Sequence, residues 1–205
     1  MEIIEQGYSV ETNLNDRYGI LAGVELAGRT AYKSEDKITP ESASRFIASI
    51  IKRGHESVLE HFNISIRFIT DRGVTHEIVR HRLVAYTQES TRYCNYAKRG
   101  MTFIKPVFWD NDCEMYEKWA TVMRHAESTY NWMIKHNASP QEARSVLPNS
   151  LKTEIICTAN LREWRHILRL RTANTAHPQM RALMLPLLNE LKNKLPEIFE
   201  DIEVQ

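Results

Sequence analysis

The chain has 205 residues, 42% hydrophobic and 26% charged, and its 27 basic and 26 acidic side chains leave a net charge of +1. A chain of this length buries a core without covalent staples, and its ordinary soluble composition excludes a disordered chain, a collagen and a disulfide scaffold. The balanced charge creates no global field toward nucleic acid or a membrane surface.

A single domain over residues 1–205 is expected. Residues 2–11 read as a first strand and 17–29 as a helix. Thr39-Pro40-Glu41 predicts a helix start, with a capping hydroxyl followed by proline at the first helical position. Ala43, Phe46, Ile47, Ile50 and Ile51 then keep helical spacing up to Gly54, which ends the helix. Phe62, Ile64, Ile66 and Phe68 alternate with polar residues as a strand does. Asp71 caps a helix carrying Val74, Ile78 and Val79.

Residues 83–100 read as irregular, and 101–108 as a strand. Residues 112–136 predict a long amphipathic helix through Met115, Trp119, Val122, Met123, Ala126, Tyr130 and Met133. Ser139-Pro140-Gln141-Glu142 is a capping box. Residues 151–159 predict another strand, and Asn160 to Glu163 opens a helix with the same box pattern. A last helix spans about Pro178 to Asn193, with Pro186 as a kink. The class is α+β, an antiparallel or mixed sheet with flanking helices.

The three cysteines, Cys94, Cys113 and Cys157, form no CxxC pair. That argues against a disulfide framework and a cysteine-rich metal site, and makes a reducing cytoplasm the expected compartment. The acidic N-terminus does not read as a signal peptide. No stretch approaches the ~20 apolar residues of a membrane span.

Three polar constellations carry possible chemistry. Arg80-His81-Arg82 sits at a predicted helix end, where it is either a solvated terminus or, joined by an anion, a binding site. In Gln88-Glu89-Ser90-Thr91-Arg92-Tyr93, an amide, a hydroxyl and an arginine come in close order. Backbone amides with Ser90 and a bidentate Arg92 suit a phosphate. Tyr86, Tyr93 and Tyr96 either stack on a planar ring or pack.

Gly54-His55-Glu56-Ser57-Val58-Leu59-Glu60-His61 carries two histidines and two glutamates. Its spacing is not that of a zinc helix, so a polar turn is favoured over a metal site. Finally, Arg162, Arg165, Arg169, Arg171 and Arg181 fall between Asn160 and Arg181. The first three share one helix face, which reads as a solvated or phosphate-binding surface. Arg171 falls where the helix should end and can point elsewhere. Arg144, after the capping box, reads as a surface cation.

Together, GHESVLEH, RHRLVAYTQESTRY and NLREWRHILRLR resemble the flavin-dependent thymidylate synthases, in family order from about residue 54 to 181. The resemblance implies an α+β fold assembled as a homotetramer, with active sites at subunit junctions and FAD held by several chains. It implies that His55, Ser57, Arg80, His81, Arg82, Asn160, Arg162 and His166 contact the flavin, with Gln88 beside it. It places deoxyuridylate on Glu77, Arg80, Gln88, Glu89, Ser90, Thr91, Arg92, Arg144 and Arg171, with phosphate at Ser90, Arg92 and Arg144.

Arg171 would face the pyrimidine ring and favour negative charge on it. The implied reaction is methylation of dUMP to dTMP without a cysteine nucleophile. Its carbon donor is 5,10-methylenetetrahydrofolate, and NADPH is the reductant through FAD. Transfer of a different one-carbon group to a pyrimidine nucleotide is the alternative. An RNA-binding protein using the arginine run and a metal hydrolase built on His55, His61, His76 and His81 are the competing classes. No metal, nucleic-acid or membrane partner is expected.

Overall fold

The computed structural model describes residues 1–204. The chain forms two compact units, each assembled from separated stretches. The first comprises Met1–Tyr8, Arg67–Arg80 and Tyr86–Ile156, and the second Ser9–Ile66, His81–Ala85 and Cys157–Gln205.

A four-stranded sheet contains β2 (Gly7–Val10), β3 (Asn63–Asp71), β6 (Lys152–Asn160) and β4 (Ala85–Gln88), in the order β2-β3-β6-β4. Side-chain partners Ser65 with Thr158 and Arg67 with Glu154 run in opposite senses, so β3 and β6 are antiparallel. Both strands alternate between buried and partly exposed positions, the signature of a sheet with one core face. Ile64, Ile66, Phe68, Ile155 and Cys157 supply the buried side.

In the first unit, β1 (Glu2–Ile4) pairs in parallel with β5 (Thr102–Ile104). The expected continuous strand over 2–11 is therefore two strands in two sheets, because the chain leaves the β5 ladder at Ile4 and joins β3 from Gly7. The strand expected over 101–108 shortens to β5: Lys105 still donates to the Ile4 carbonyl, but Pro106 has no N–H to continue. The irregular stretch 83–100 contains β4 and a single helical turn, α4 (Tyr96–Arg99).

Helix α5 (Glu114–Lys135) matches the long amphipathic pattern. Met123 and Tyr130 enter a cluster with Tyr96, Met101, Phe103, Ala143 and Leu151, whereas Met115 and Val122 are exposed. The capping box at Ser139 opens the short α6 (Pro140–Ala143) as expected. Helix α3 (Arg72–Ile78) follows β3 directly, with the Asp71 carboxylate accepting from Val74 N–H at 2.7 Å.

The second unit is helical around the ends of β3 and β6. Helix α1 (Arg17–Tyr32) lies against α2 (Ser42–Lys52), and a Cβ at Gly28 would sit 2.5 Å from the Phe46 ring. Helix α2 begins two residues after the expected proline: Thr39–Glu41 form a turn, with Ser42 N–H bonded to the Thr39 carbonyl. Gly54 ends it at φ +72°, where a side chain would be strained.

Helix α7 (Leu161–Arg171) starts at Asn160, α8 (Pro178–Lys194) runs through Pro186, and α9 (Pro196–Phe199) closes the unit. Trp164, Leu168, Leu187 and Phe199 are fully buried there, and the Trp164 indole N–H donates to the Ile64 carbonyl at 2.9 Å.

Candidate active site

The second unit holds the histidine–arginine centre. Strand β6 ends at Asn160, whose side chain caps α7 by accepting from Glu163 N–H at 2.9 Å. Eleven residues of helix then carry Arg171 to the last position. There its Nε donates to Nε2 of His81 at 2.9 Å.

His81 is 7% exposed. Burial, then the Arg171 guanidinium and His166, hold its pKa down to about 4. The imidazole is therefore neutral near pH 7. Because guanidinium can only donate, Nε2 must be the acceptor and Nδ1 must carry the proton. Nδ1 faces Glu163 Oε1 at 3.7 Å, and the His166 ring stands edge-on at 5.9 Å. Glu163 is buried, which raises its pKa against the opposing pull of His166.

The remaining residues expected near a flavin in this unit are exposed side chains. His55 and Ser57 flank the start of the 3-10 turn Glu56–His61, and Tyr32 Oη lies 3.4 Å from His55 Nδ1. Arg82 and His166 are exposed, and Arg162 pairs with Glu60 at 2.6 Å at the surface.

The arginine face of α7 differs from its sequence reading as a solvated or phosphate surface. Arg165 is fully buried and bonds Glu56 and Asp201 at once. It also donates to the Ile198 carbonyl. Arg169 reaches Asp201 at 3.3 Å. Charge spacing alone could not distinguish this lock from a solvated stripe, because both acids come from distant segments.

The first unit holds the amide–hydroxyl–arginine segment. Gln88, at the end of β4, donates its amide to Thr75 and Thr153 at 3.0 and 3.2 Å. Glu89 accepts from Tyr96 Oη at 2.8 Å and from Lys152 Nζ at 3.4 Å. Burial and then Glu89 push the Tyr96 hydroxyl pKa upward, so it stays a donor. Burial works against the Lys152 charge, but Glu154 and Glu89 outweigh it and raise its pKa.

Ser90 starts a tight turn. Its carbonyl accepts from Tyr93 and Cys94 N–H, and its hydroxyl accepts from Arg92 N–H at 3.3 Å. Thr91 is buried, whereas Arg92 is exposed and lies 5.5 Å from the Tyr93 ring centre. Of the three tyrosines, Tyr96 packs in the core and Tyr86 donates to the Ile78 carbonyl, leaving Tyr93 exposed. Glu77 is half-buried on α3, and Arg80 and Arg144 are exposed.

Sequence reasoning missed Arg72, whose Nη2 donates to the Glu89 carbonyl at 2.8 Å. Its buried Nε has no hydrogen-bond partner among the described residues. A cavity of about 490 Å³ in this unit is walled by Gln88, Glu89, Arg67, Tyr96, Arg99, Lys152 and Glu154, among others.

Residues 16–197 match the family of the thymidylate synthase complementing protein. The chain is 33% identical to the flavin-dependent thymidylate synthase of Mycolicibacterium vanbaalenii, over 92% of this chain and 82% of that protein. It is 36% identical to that of Pyrococcus furiosus, over 82% of this chain and 70% of that one. Among solved structures, it superposes on a UMP/dUMP methylase PolB from Streptomyces cacaoi bound with 5-Br dUMP, with a TM-score of 0.79. Sequence identity to PolB is 19%, and 98% of this chain and 96% of that one are covered, a likeness of fold. The chain belongs to the flavin-dependent thymidylate synthase family.

Proposed function

We propose that the protein converts dUMP to dTMP by flavin-dependent reductive methylation. The carbon comes from 5,10-methylenetetrahydrofolate and the electrons from NADPH. Family membership supports the reaction class. The observation that carries the mechanism is Arg171, a permanent cation anchored on a buried neutral imidazole.

Methylation at C5 of uracil needs electron density on that carbon. A cysteine route needs an accessible thiolate, and the thiols are poorly placed for it. Cys157 is buried, and burial pushes its pKa up to about 12. Cys113 Sγ caps α5 by accepting from Tyr116 N–H, and Cys94 packs against the first unit's core cluster. Arg171 instead stabilises negative charge on the pyrimidine by fixed electrostatics. Ser90, Arg92 and Arg144 hold the phosphate, with Arg72 and Lys152 fixing the backbone and carboxylate of Glu89 behind them.

The residues present fit a flavin nucleotide. Ser57, His55, Arg82 and His166 are exposed donors, and the Arg162–Glu60 pair is a surface ion pair of small net value that a phosphate can displace. In this reading FAD rests on those residues with Asn160, Arg80, His81 and Gln88, and supplies hydride chemistry that no side chain offers. Assembly as a homotetramer in the cytoplasm belongs to the same proposal.

The test is anaerobic incubation with FAD, NADPH, dUMP and methylenetetrahydrofolate, read by mass spectrometry of the nucleotide. Thymidylate that depends on both flavin and folate supports the proposal. A hydroxymethyl product, or an unchanged nucleotide beside reduced flavin, contradicts it.

A further inference from the structure

Glu163 occupies the third position of α7, where a glutamate ordinarily reaches back to the capping residue. Only half of that box forms here. Asn160 accepts from Glu163 N–H, but the Glu163 carboxylate turns toward His81, 3.7 Å from Nδ1. Both side chains are nearly buried, at 8% and 6% exposure. A carboxylate that gives up a capping bond and solvent needs a compensating partner. The positive N-terminal end of α7 favours its charge.

Arg171 requires a lone pair on His81 Nε2, so the imidazole proton must sit on Nδ1. A free imidazole does not hold that tautomer by itself; the group facing the other nitrogen decides it. The carboxylate that faces His81 Nδ1 is that of Glu163. The chain of influence is Glu163 to His81 Nδ1–H, then His81 Nε2 to Arg171 Nε, all within the second unit.

We propose that Glu163 is a positioning residue for Arg171, acting by fixing the His81 tautomer. The inference deepens the function proposed above and rests on it only for the consequence in turnover. The logic is that of a buried acid orienting a histidine, with the histidine serving as acceptor for a cation rather than as a base. Neither proton nor electron is transferred.

The test uses the full chain with ¹⁵N-labelled histidine, comparing wild type, Glu163→Ala and Glu163→Gln. His81 signals are assigned with His81→Asn. Wild type should show the Nδ1–H tautomer, with Nε2 at the shift of an unprotonated nitrogen. Glu163→Ala should shift His81 toward a mixture of tautomers. It should also lower kcat by roughly tenfold, the usual scale for losing a partner that orients a histidine, with the KM for dUMP and the flavin titration little changed. Glu163→Gln keeps an acceptor and should recover most of both losses.

An unchanged tautomer in Glu163→Ala overturns the proposal. So does a Glu163→Gln protein that folds but shows no recovery in the His81 spectrum. If Glu163→Ala does not fold, the Glu163→Gln spectrum decides: Nδ1–H retained supports the proposal, and its loss overturns it. The spectrum is read without substrate. A tautomer shift in a protein that makes no thymidylate would therefore sink the proposed reaction and leave the positioning role standing.

Discussion

Arg171 and His81 are 90 positions apart in sequence, yet Nε of one donates to Nε2 of the other at 2.9 Å. The bond fixes a cation at the end of α7 without neutralising it, because a neutral imidazole accepts the hydrogen bond and leaves the charge in place. Replacing Arg171 by alanine should cut turnover by ~10²–10³-fold, the scale for removing a preorganised charge stabiliser. Flavin binding, followed by absorbance titration, should survive. Near-normal kcat would remove Arg171 from the mechanism.

His81 makes the protein acid-sensitive. Its pKa falls from 6.5 to about 4 on folding, so the unfolded chain binds more protons between those values. Stability is complete above pH 6.5 and declines as pH falls toward 4, by up to about 3 kcal/mol from this group. The urea midpoint should drop between pH 7 and pH 5, and His81→Asn should flatten that part of the profile. An equal slope in the variant would assign the acid sensitivity elsewhere.

Arg165 is a structural lock rather than a surface charge. Replacing it by methionine leaves Glu56 and Asp201 to the more exposed Arg169, at 3.7 and 3.3 Å, and removes the hydrogen bond by which Arg165 chiefly lowers the Asp201 pKa. Because Asp201 is half-exposed and Arg169 remains, the cost should be about 1–3 kcal/mol, less than for a fully buried pair broken from one side. Chemical denaturation should show that loss. Because Glu56 begins the turn bearing Ser57, flavin affinity should weaken too. A loss below about 1 kcal/mol would mean that Glu56 and Asp201 find other partners.

The thiols are dispensable for the proposed chemistry. Cys94→Ala and Cys157→Ala should each keep kcat within about threefold of wild type while losing up to about 1 kcal/mol of stability from packing. Cys113→Ser preserves an acceptor for the α5 cap and should be silent. Abolished turnover in a folded Cys94→Ala protein would restore a nucleophilic cysteine.

Ser90 tests the nucleotide segment. Ser90→Ala removes a hydroxyl that accepts from Arg92 N–H. It should raise the dUMP KM by roughly tenfold, one hydrogen bond to a charged group, with kcat largely kept at saturation. Complete loss of turnover at saturating dUMP would give the hydroxyl a covalent role.

Local chemistry made much of this molecule legible in advance. The alternation through Ile64 to Phe68, the Asp71 cap, the Ser139 box and the periodicity of α5 are written in neighbouring residues, and the structure carries each of them. So are the three family blocks, whose order is a property of the chain. Partners distant in sequence were a different matter. The break after Ile4 depends on which strand offers a free edge. The burial of Arg165 depends on Glu56 and Asp201 arriving from separate stretches of the second unit. The neutral state of His81 and the diverted carboxylate of Glu163 exist only once a core has excluded water around them. Sequence determined the elements and the inventory of reactive groups, because propensity and capping act over a few residues. Tertiary structure decided which charges are solvated, paired or held ready, because desolvation and long-range pairing are properties of the packed chain.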